Sequence, residues 1–132
     1  MAGGSYQLLI LLERRSRIRA GGLGEFDFPA GYYVYTGSAV RNLEKRVERH
    51  LSKEKKIRWH IDYFLDSESA RAVRARLFPS ELREECGRNQ EVLESSGASV
   101  PAPGFGSSDC RVCPAHLIYI GIGTEIWDRI EE

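Results

Sequence analysis

The chain has 132 residues, of which 42% are apolar and 29% are charged, values within the ordinary range for one globular domain. A chain of this length can bury about two thirds of the surface that it exposes when unfolded, so its core needs no disulfide framework. Its three cysteines, an odd number, argue against a secreted disulfide scaffold and favour reduced thiols or a bound metal. The longest apolar run, Leu8 to Leu12, is too short to cross a bilayer. We therefore expect one domain over residues 1–132, a cytoplasmic location and no membrane partner.

Basic and acidic side chains, 19 of each, cancel over the chain but are unevenly distributed. The first 60 residues carry 12 basic and 6 acidic side chains, whereas the remaining residues carry 7 and 13. The densest basic segment, residues 41–58, holds eight basic and three acidic side chains. Such a patch attracts phosphate by releasing counterions, although a solvated helix face with i,i+4 ion pairs has the same composition. Charge therefore permits a nucleic-acid partner without identifying one.

Several β-prone segments predict strands in the first third of the chain. The run Tyr6 to Leu12 predicts a buried strand, and the segment Ser16 to Ala20 alternates as an exposed edge strand does. After a glycine-rich turn, Glu25 to Phe28 and Tyr32 to Thr36 predict two more strands. We expect these strands to form an antiparallel meander.

Helical periodicity follows these strands. Apolar residues at helical spacing predict an amphipathic helix over residues 39–52, with Ser38 as its N-cap. The segment Trp59 to Leu65 predicts a short buried helix, and Ala70 to Phe78 predicts a half-buried strand. Helices therefore separate the predicted strands of a small sheet.

The second half of the chain alternates the same elements. A helix is predicted over residues 80–95, and a Gly-, Ser- and Pro-rich loop over residues 96–108. A last short strand is predicted over His116 to Ile120, followed by a helical turn around Trp127. This order of elements predicts an α+β fold in which helices flank a small antiparallel sheet.

Arg46 and His50 lie four positions apart in a predicted helix and therefore project from one face, which Asn42 shares. An arginine there can bind phosphate through two N–H groups while the histidine accepts or donates a proton, as phosphodiester cleavage requires. An exposed arginine and a half-buried histidine without a chemical role would produce the same spacing. We expect Asn42 and the neighbouring Arg49 to contact substrate beside this pair.

Two tyrosines, Tyr6 and Tyr35, stand at the ends of predicted strands, each near a glycine, Gly4 and Gly37. Glycine lets another backbone or a substrate approach closely, so we expect Gly37 to lie against substrate. A tyrosine hydroxyl at a strand edge can orient water or transfer a proton if its surroundings lower its high pKa. Most strand tyrosines pack with only the hydroxyl in water, so both interpretations stay open.

Three cysteines and one histidine form a candidate metal set in a C-terminal segment. Cys110 and Cys113 are separated by two residues, His116 follows at the same interval, and Cys86 lies on the preceding predicted helix. Three thiolates and an imidazole would complete a tetrahedral zinc site that fixes the long loop to the helix. Redox-active thiols and inert reduced thiols explain the same residues, so all three interpretations stay open.

Two glutamates, Glu84 and Glu85, directly precede Cys86. One of them could bind a magnesium ion that takes its other ligands from water and phosphate. Because glutamates are common on helices, this pair alone predicts no site.

Several motifs, in order along the chain, resemble one enzyme superfamily. Gly4-Ser5-Tyr6 and Tyr35-Thr36-Gly37, followed by the Arg46 and His50 pair and then Glu85, resemble the GIY-YIG nucleases. The stretches FPAGYYVYTGSA, ERHL, KKIRWHIDYFL, GFGSSDC and CPAHLIY resemble, more closely, an uncharacterised archaeal and bacterial branch of that superfamily. This resemblance spans nearly the full chain, and the separation of the two tyrosines implies an inserted hairpin.

The resemblance implies a set of roles around a scissile phosphate. Tyr6, Tyr35, Arg46 and His50 would be catalytic, and Glu85 would bind one Mg²⁺ or Mn²⁺ ion. His60, beside Trp59, is a further candidate to hold a tyrosine proton or a phosphate, although a packing histidine fits the position equally. A zinc ion at Cys86 would hold the adjacent Glu85 in place.

We therefore expect a metal-dependent endonuclease that acts on DNA rather than RNA, on damaged or branched structures, together with other repair or recombination proteins. No motif in the chain reads base edges, so recognition of shape or backbone is expected. The alternatives are a non-catalytic nucleic-acid or protein interaction module with a zinc-stabilised C-terminal segment, and a zinc-stabilised regulatory protein.

Overall fold

The computed structural model describes residues 3–39, 41–52, 57, 59–80, 84–95, 97–106 and 113–130. Within these ranges the chain forms an α+β fold with a four-stranded sheet, a two-stranded sheet and four α-helices. Every neighbouring pair of strands in both sheets is antiparallel. The fold class expected from the order of elements is confirmed.

Six strands and four helices position the side chains discussed below. The strands are β1 (Gly4–Leu12), β2 (Ser16–Arg19), β3 (Glu25–Phe28), β4 (Gly31–Ala39), β5 (Ala70–Pro79) and β6 (Leu117–Gly121). The helices are α1 (Leu43–Leu51), α2 (His60–Leu65), α3 (Glu85–Leu93) and α4 (Glu125–Arg129). None of the helices that the structure describes is both long and apolar enough to cross a membrane.

The main sheet has the strand order β5, β1, β4, β6, and β2 pairs only with β3. Strand β1 pairs with β4 over its full length, from Gly4 opposite Ala39 to Leu12 opposite Gly31. The expected meander is therefore wrong, because β2 and β3 form a separate hairpin inserted between two paired strands. Both β1 and β4 are buried along most of their length and pair with each other, whereas β2 and β3 carry exposed charges such as Arg17 and Asp27, which form an ion pair.

The central strands are buried on both faces. One face of β1 enters a core beneath α1, α2 and the inserted hairpin. On the other face, Leu9 and Val34 pack with Val92 of α3 and with Trp127 of α4. A strand covered on both faces favours apolar residues at successive positions, which explains the continuous run Leu8 to Leu12 in β1.

Helix α1 begins later than its periodicity predicts. Strand β4 continues to Ala39, and the N-cap is Asn42, whose backbone is left-handed with φ 56° and ψ 50°. The expected start at residue 39 with Ser38 as N-cap is therefore wrong, because pairing with β1 keeps Ser38 in the strand. Helix α3 is likewise shorter than the expected 80–95, and part of that range, residues 81–83, lies outside the described residues.

Candidate functional site

The two tyrosines singled out by the sequence meet where β1 begins and β4 ends. Tyr6 lies directly opposite Gly37, and Tyr35 is its diagonal neighbour on the same face of the sheet. The centroids of the two phenol rings are 6.3 Å apart. Gly37 leaves room above β4, and the hydroxyl of Tyr6 occupies it.

His50 of α1 completes this buried group. Its Nε2 atom lies 2.6 Å from the hydroxyl oxygen of Tyr6, and both residues are only 2% exposed. The imidazole also contacts the ring of Tyr35, with centroids 6.1 Å apart. His50 is therefore more deeply buried than the half-buried position its helical spacing indicates.

Burial sets the protonation of this hydrogen bond. Desolvation raises the pKa of Tyr6 well above its usual value, nearby Tyr35 raises it further, and the charge of Arg46 acts in the opposite direction. Burial also raises the pKa of Tyr35. The phenol of Tyr6 thus stays protonated and can donate to Nε2 of His50, an arrangement that requires the imidazole proton on Nδ1.

Asp62, which our sequence analysis missed, lies behind the imidazole. One of its carboxylate oxygens is 3.9 Å from Nδ1 of His50. The carboxylate is fully buried and accepts two hydrogen bonds from Arg49, both 3.0 Å long. It also accepts a 2.9 Å hydrogen bond from the backbone N–H of Trp59. An acidic residue inside the apolar segment of α2 could have indicated it, because a buried carboxylate requires cationic partners.

Arg46 and Arg49 share one aromatic partner. The guanidinium carbons lie 4.6 Å and 4.4 Å from the ring centroid of Trp59. Arg46 also donates a 3.1 Å hydrogen bond to the backbone carbonyl of Ser38. Arg46 therefore has a fixed place beside the tyrosines, whereas Arg49, expected to contact substrate, is paired with Asp62.

Glu85 reaches the same group from α3. Its Oε1 atom accepts a 2.9 Å hydrogen bond from the hydroxyl of Ser38, and its side chain is 16% exposed. Its negative charge is near enough to raise the pKa of both Tyr6 and Tyr35. Carboxylate oxygens are the ligands that Mg²⁺ and Mn²⁺ prefer, so the chemistry of this residue fits such an ion.

Two further expected site residues, Asn42 and His60, have other contacts. Asn42 is the N-cap of α1, and its backbone carbonyl accepts a 3.1 Å hydrogen bond from the N–H of Arg46, so its expected contact with substrate stays a prediction. His60 accepts a 2.9 Å hydrogen bond from the N–H of Gly106 at Nδ1 and packs on Phe105. The contacts that the structure describes for His60 thus fix a loop and involve no tyrosine hydroxyl.

The cysteine and histidine cluster lies beside Glu85, because Nδ1 of His116 is 3.8 Å from Oε2 of Glu85. Cys86, Cys113 and His116 offer ligand atoms that all lie within 4.8 Å of one another. Cys113 is a buried free thiol, but Cys86 is disulfide-bonded, so the expectation of reduced thiols is wrong for Cys86. The expected fourth ligand, Cys110, lies outside the described residues.

Asn89 is a second residue that sequence reasoning missed. It is fully buried in α3, one turn after Glu85, and its amide donates a 2.7 Å hydrogen bond to the carbonyl of Ala115. Asn89 therefore ties the helix that carries Glu85 to the segment that carries His116. An asparagine at i,i+4 from a candidate ligand could have indicated this role.

Fold and site together define a small α+β protein in which a buried phenol–imidazole pair lies beside a guanidinium and a carboxylate. The model of the family described as "Domain of unknown function DUF123" matches residues 5–132, and the chain belongs to this family. No curated protein and no solved structure matches the chain significantly. The match confirms that the chain belongs to an uncharacterised family, whereas the relation of that family to the GIY-YIG nucleases stays a prediction.

Proposed function

We propose that this protein is a metal-dependent endonuclease of the GIY-YIG type that hydrolyses phosphodiester bonds in DNA. One observation carries the proposal: Tyr6, Tyr35, Arg46, His50 and Glu85, which come from four separate elements, lie around one point of the fold. Phosphodiester hydrolysis needs a proton acceptor for the attacking water and positive charge for the transition state. The Tyr6 and His50 pair can supply the proton acceptor. Arg46 carries positive charge, and Glu85 can bind a metal ion that adds to it.

Tyr6 is suited to relay a proton rather than to act as a phenolate. Its raised pKa keeps the phenol protonated at neutral pH, so a free phenolate base does not accumulate. With Nε2 of His50 at 2.6 Å, the phenol can pass its own proton to the imidazole while it takes one from water. The imidazolium formed in this way faces the carboxylate of Asp62.

Arg46 and Glu85 are suited to the phosphate itself. The phenols and the imidazole are buried, whereas Glu85 and Arg46 keep partial exposure, so a phosphate would meet these two charged groups first. Arg46 would stabilise charge on the phosphate oxygens through its planar N–H groups. Glu85 would hold a Mg²⁺ or Mn²⁺ ion, which when bound polarises the phosphate and the leaving oxygen.

The surroundings of the site favour recognition of backbone over sequence. Exposed basic residues of α1, such as Lys45, lie next to Arg46 on the helix. Lysine contacts to phosphates provide affinity without base specificity. We therefore propose structured or damaged DNA in repair or recombination as the substrate class.

Cleavage by the purified full chain tests the proposal. Nicked, flap and duplex DNA are incubated with Mg²⁺ or Mn²⁺, and Glu85→Gln is compared with Glu84→Gln, whose carboxylate instead pairs with Arg88. We expect metal-dependent cleavage that falls at least about 10²-fold in Glu85→Gln and is retained in Glu84→Gln. Equal cleavage by wild type, Glu85→Gln and Arg46→Ala would identify a contaminating nuclease and overturn the proposal.

A second candidate is a non-catalytic module that binds nucleic acid or protein. The near-complete burial of Tyr6 and His50 favours it, because a core phenol–imidazole pair can serve packing alone. DNA binding without cleavage under every metal condition, unchanged in Tyr6→Phe, would support this candidate.

A further inference from the structure

His116 presents a buried nitrogen that lacks a partner. The residue is only 1% exposed, and its Nδ1 lies 3.0 Å from the backbone carbonyl oxygen of Thr36. Because a carbonyl only accepts, Nδ1 must donate, which leaves Nε2 as an unprotonated acceptor. No hydrogen-bond donor reaches Nε2 among the residues that the structure describes. Buried polar atoms usually have a hydrogen-bond partner, and a bound ion is one way in which such an acceptor is satisfied.

Two sulfur atoms stand beside this histidine. Ligand atoms of Cys86, Cys113 and His116 lie within 4.8 Å of one another, and the thiol of Cys113 lies 3.5 Å from the carbonyl oxygen of Cys86. In a tetrahedral zinc site, bond lengths of about 2.0–2.3 Å place neighbouring ligand atoms about 3.3–3.8 Å apart. The observed cluster therefore needs only a small contraction to reach that geometry.

We propose that Cys86, Cys113 and His116 bind a zinc ion in the reduced protein. Two thiolates and one imidazole select zinc over magnesium, which prefers oxygen ligands. The hydrogen bond from Nδ1 of His116 to Thr36 is the outer-shell contact that commonly orients a zinc-bound histidine. This site lies next to Glu85, with Nδ1 of His116 3.8 Å from its Oε2 atom, but its ligands do not include Glu85 and it does not depend on the proposed nuclease function.

The oxidation state of Cys86 controls the site. Cys86 is disulfide-bonded, and a disulfide sulfur is not the thiolate that zinc requires. A thiol reductant supplies two electrons and two protons to that disulfide and yields two thiols. Zinc then displaces the thiol protons of Cys86 and Cys113, which are released to solvent.

Metal analysis of the full chain tests the proposal directly. Protein purified with a thiol reductant is titrated with Zn²⁺, and bound metal is measured by elemental analysis for wild type, Cys113→Ser, His116→Gln and His60→Gln. We expect one zinc ion per wild-type chain and at least a tenfold weaker affinity in Cys113→Ser and His116→Gln. The control variant His60→Gln, which changes a histidine outside the cluster, should bind zinc with wild-type affinity. A reduced, folded wild-type chain that binds no zinc would overturn the proposal, as would unchanged affinity in both variants.

Cobalt substitution makes the test independent of variant folding. Wild-type protein loaded with Co²⁺ should show intense visible absorption and a thiolate charge-transfer band, both lost after oxidation of the cysteines. A weak spectrum typical of six oxygen ligands would contradict the proposal. Neither measurement uses DNA, so failure of the zinc site and failure of the nuclease proposal are distinguishable.

Discussion

The hydroxyl of Tyr6 fills the space that a side chain at Gly37 would occupy. The two residues are direct partners in the pairing of β1 with β4, and a Cβ atom built at Gly37 would overlap the phenol oxygen and its ring carbon. The φ of Gly37 is not positive, so the position requires glycine for space rather than for backbone freedom. The glycine of the second motif and the tyrosine of the first motif therefore form one structural unit.

Substitution of Gly37 by alanine should disrupt the proposed proton relay. The added methyl group must push the Tyr6 hydroxyl away from Nε2 of His50, and a displacement of about 1 Å can cost about 10²-fold in rate. We expect a drop of this size in single-turnover cleavage. Gly22→Ala is the control, because nothing lies within 4 Å of a Cβ atom at that position. Equal rates in the two variants would show that the position of the hydroxyl is immaterial.

Removal of the Tyr6 hydroxyl should separate chemistry from stability. Tyr6→Phe keeps the ring but leaves Nε2 of His50 without its donor, which should lower the free energy of unfolding by about 1–3 kcal/mol. Loss of the relay should reduce cleavage about 10²–10⁴-fold. Tyr33→Phe is the control: Tyr33 is also a buried residue, and the substitution removes a hydroxyl that donates to the carbonyl of Pro29. Denaturant unfolding should show similar losses of stability in Tyr6→Phe and Tyr33→Phe. Cleavage rates should fall only in Tyr6→Phe.

Part of the fold follows directly from sequence patterns. The continuous apolar run of β1 predicts a strand covered on both faces, and the structure confirms it. The start of α1 could not be predicted from periodicity, because cross-strand pairing with β1 holds β4 in extended form up to Ala39. Tertiary contacts thus overrode a local helical pattern.

Some residues of the candidate site could be predicted from the sequence, and others could not. Tyr6, Arg46 and His50 were predicted from their spacing and strand positions and then from a motif resemblance, whereas Asp62 was missed because its partners become apparent only in three dimensions. His60 was placed with the tyrosines, but its hydrogen bond joins it to Gly106, 46 positions along the chain. The spacing of residues within one helix does not predict contacts between residues that are so far apart in the sequence.

Asp62 should stabilise the fold through its buried ion pair. In Asp62→Asn, Arg49 and the imidazole of His50 lose their negative neighbour, and we expect about 3 kcal/mol of destabilisation. This value is at the low end for a buried pair because Arg49 is 22% exposed. Asp66→Asn, at the exposed end of α2, should change stability by less than about 0.5 kcal/mol. Equal losses in chemical denaturation would show that the ion pair contributes nothing.

His60 should make stability depend on pH on the acid side. Burial lowers the pKa of His60 below its usual 6.5, so below pH 6.5 the unfolded chain binds a proton that the folded chain resists. Stability should therefore fall as the pH drops from 6.5 towards the lowered folded pKa, and this contribution should be constant above 6.5. His60→Asn keeps an acceptor for the N–H of Gly106 but does not titrate, so its melting temperature should decline less over this range. A decline identical to that of wild type would assign the pH dependence to other groups.

Arg46 and its neighbour Lys45 should affect different measurements, although both carry one positive charge on α1. Arg46 is fixed by stacking on Trp59 and by its hydrogen bond to Ser38, whereas Lys45 is exposed. Arg46→Lys keeps the charge but loses the planar guanidinium and its paired N–H donors. Single-turnover cleavage should therefore fall about 10²-fold with little change in DNA affinity. Lys45→Ala should instead leave the cleavage rate unchanged and reduce the salt dependence of DNA binding by about one counterion. A rate defect in Lys45→Ala with normal cleavage in Arg46→Lys would place the phosphate on the exposed face of the helix, away from the buried tyrosines.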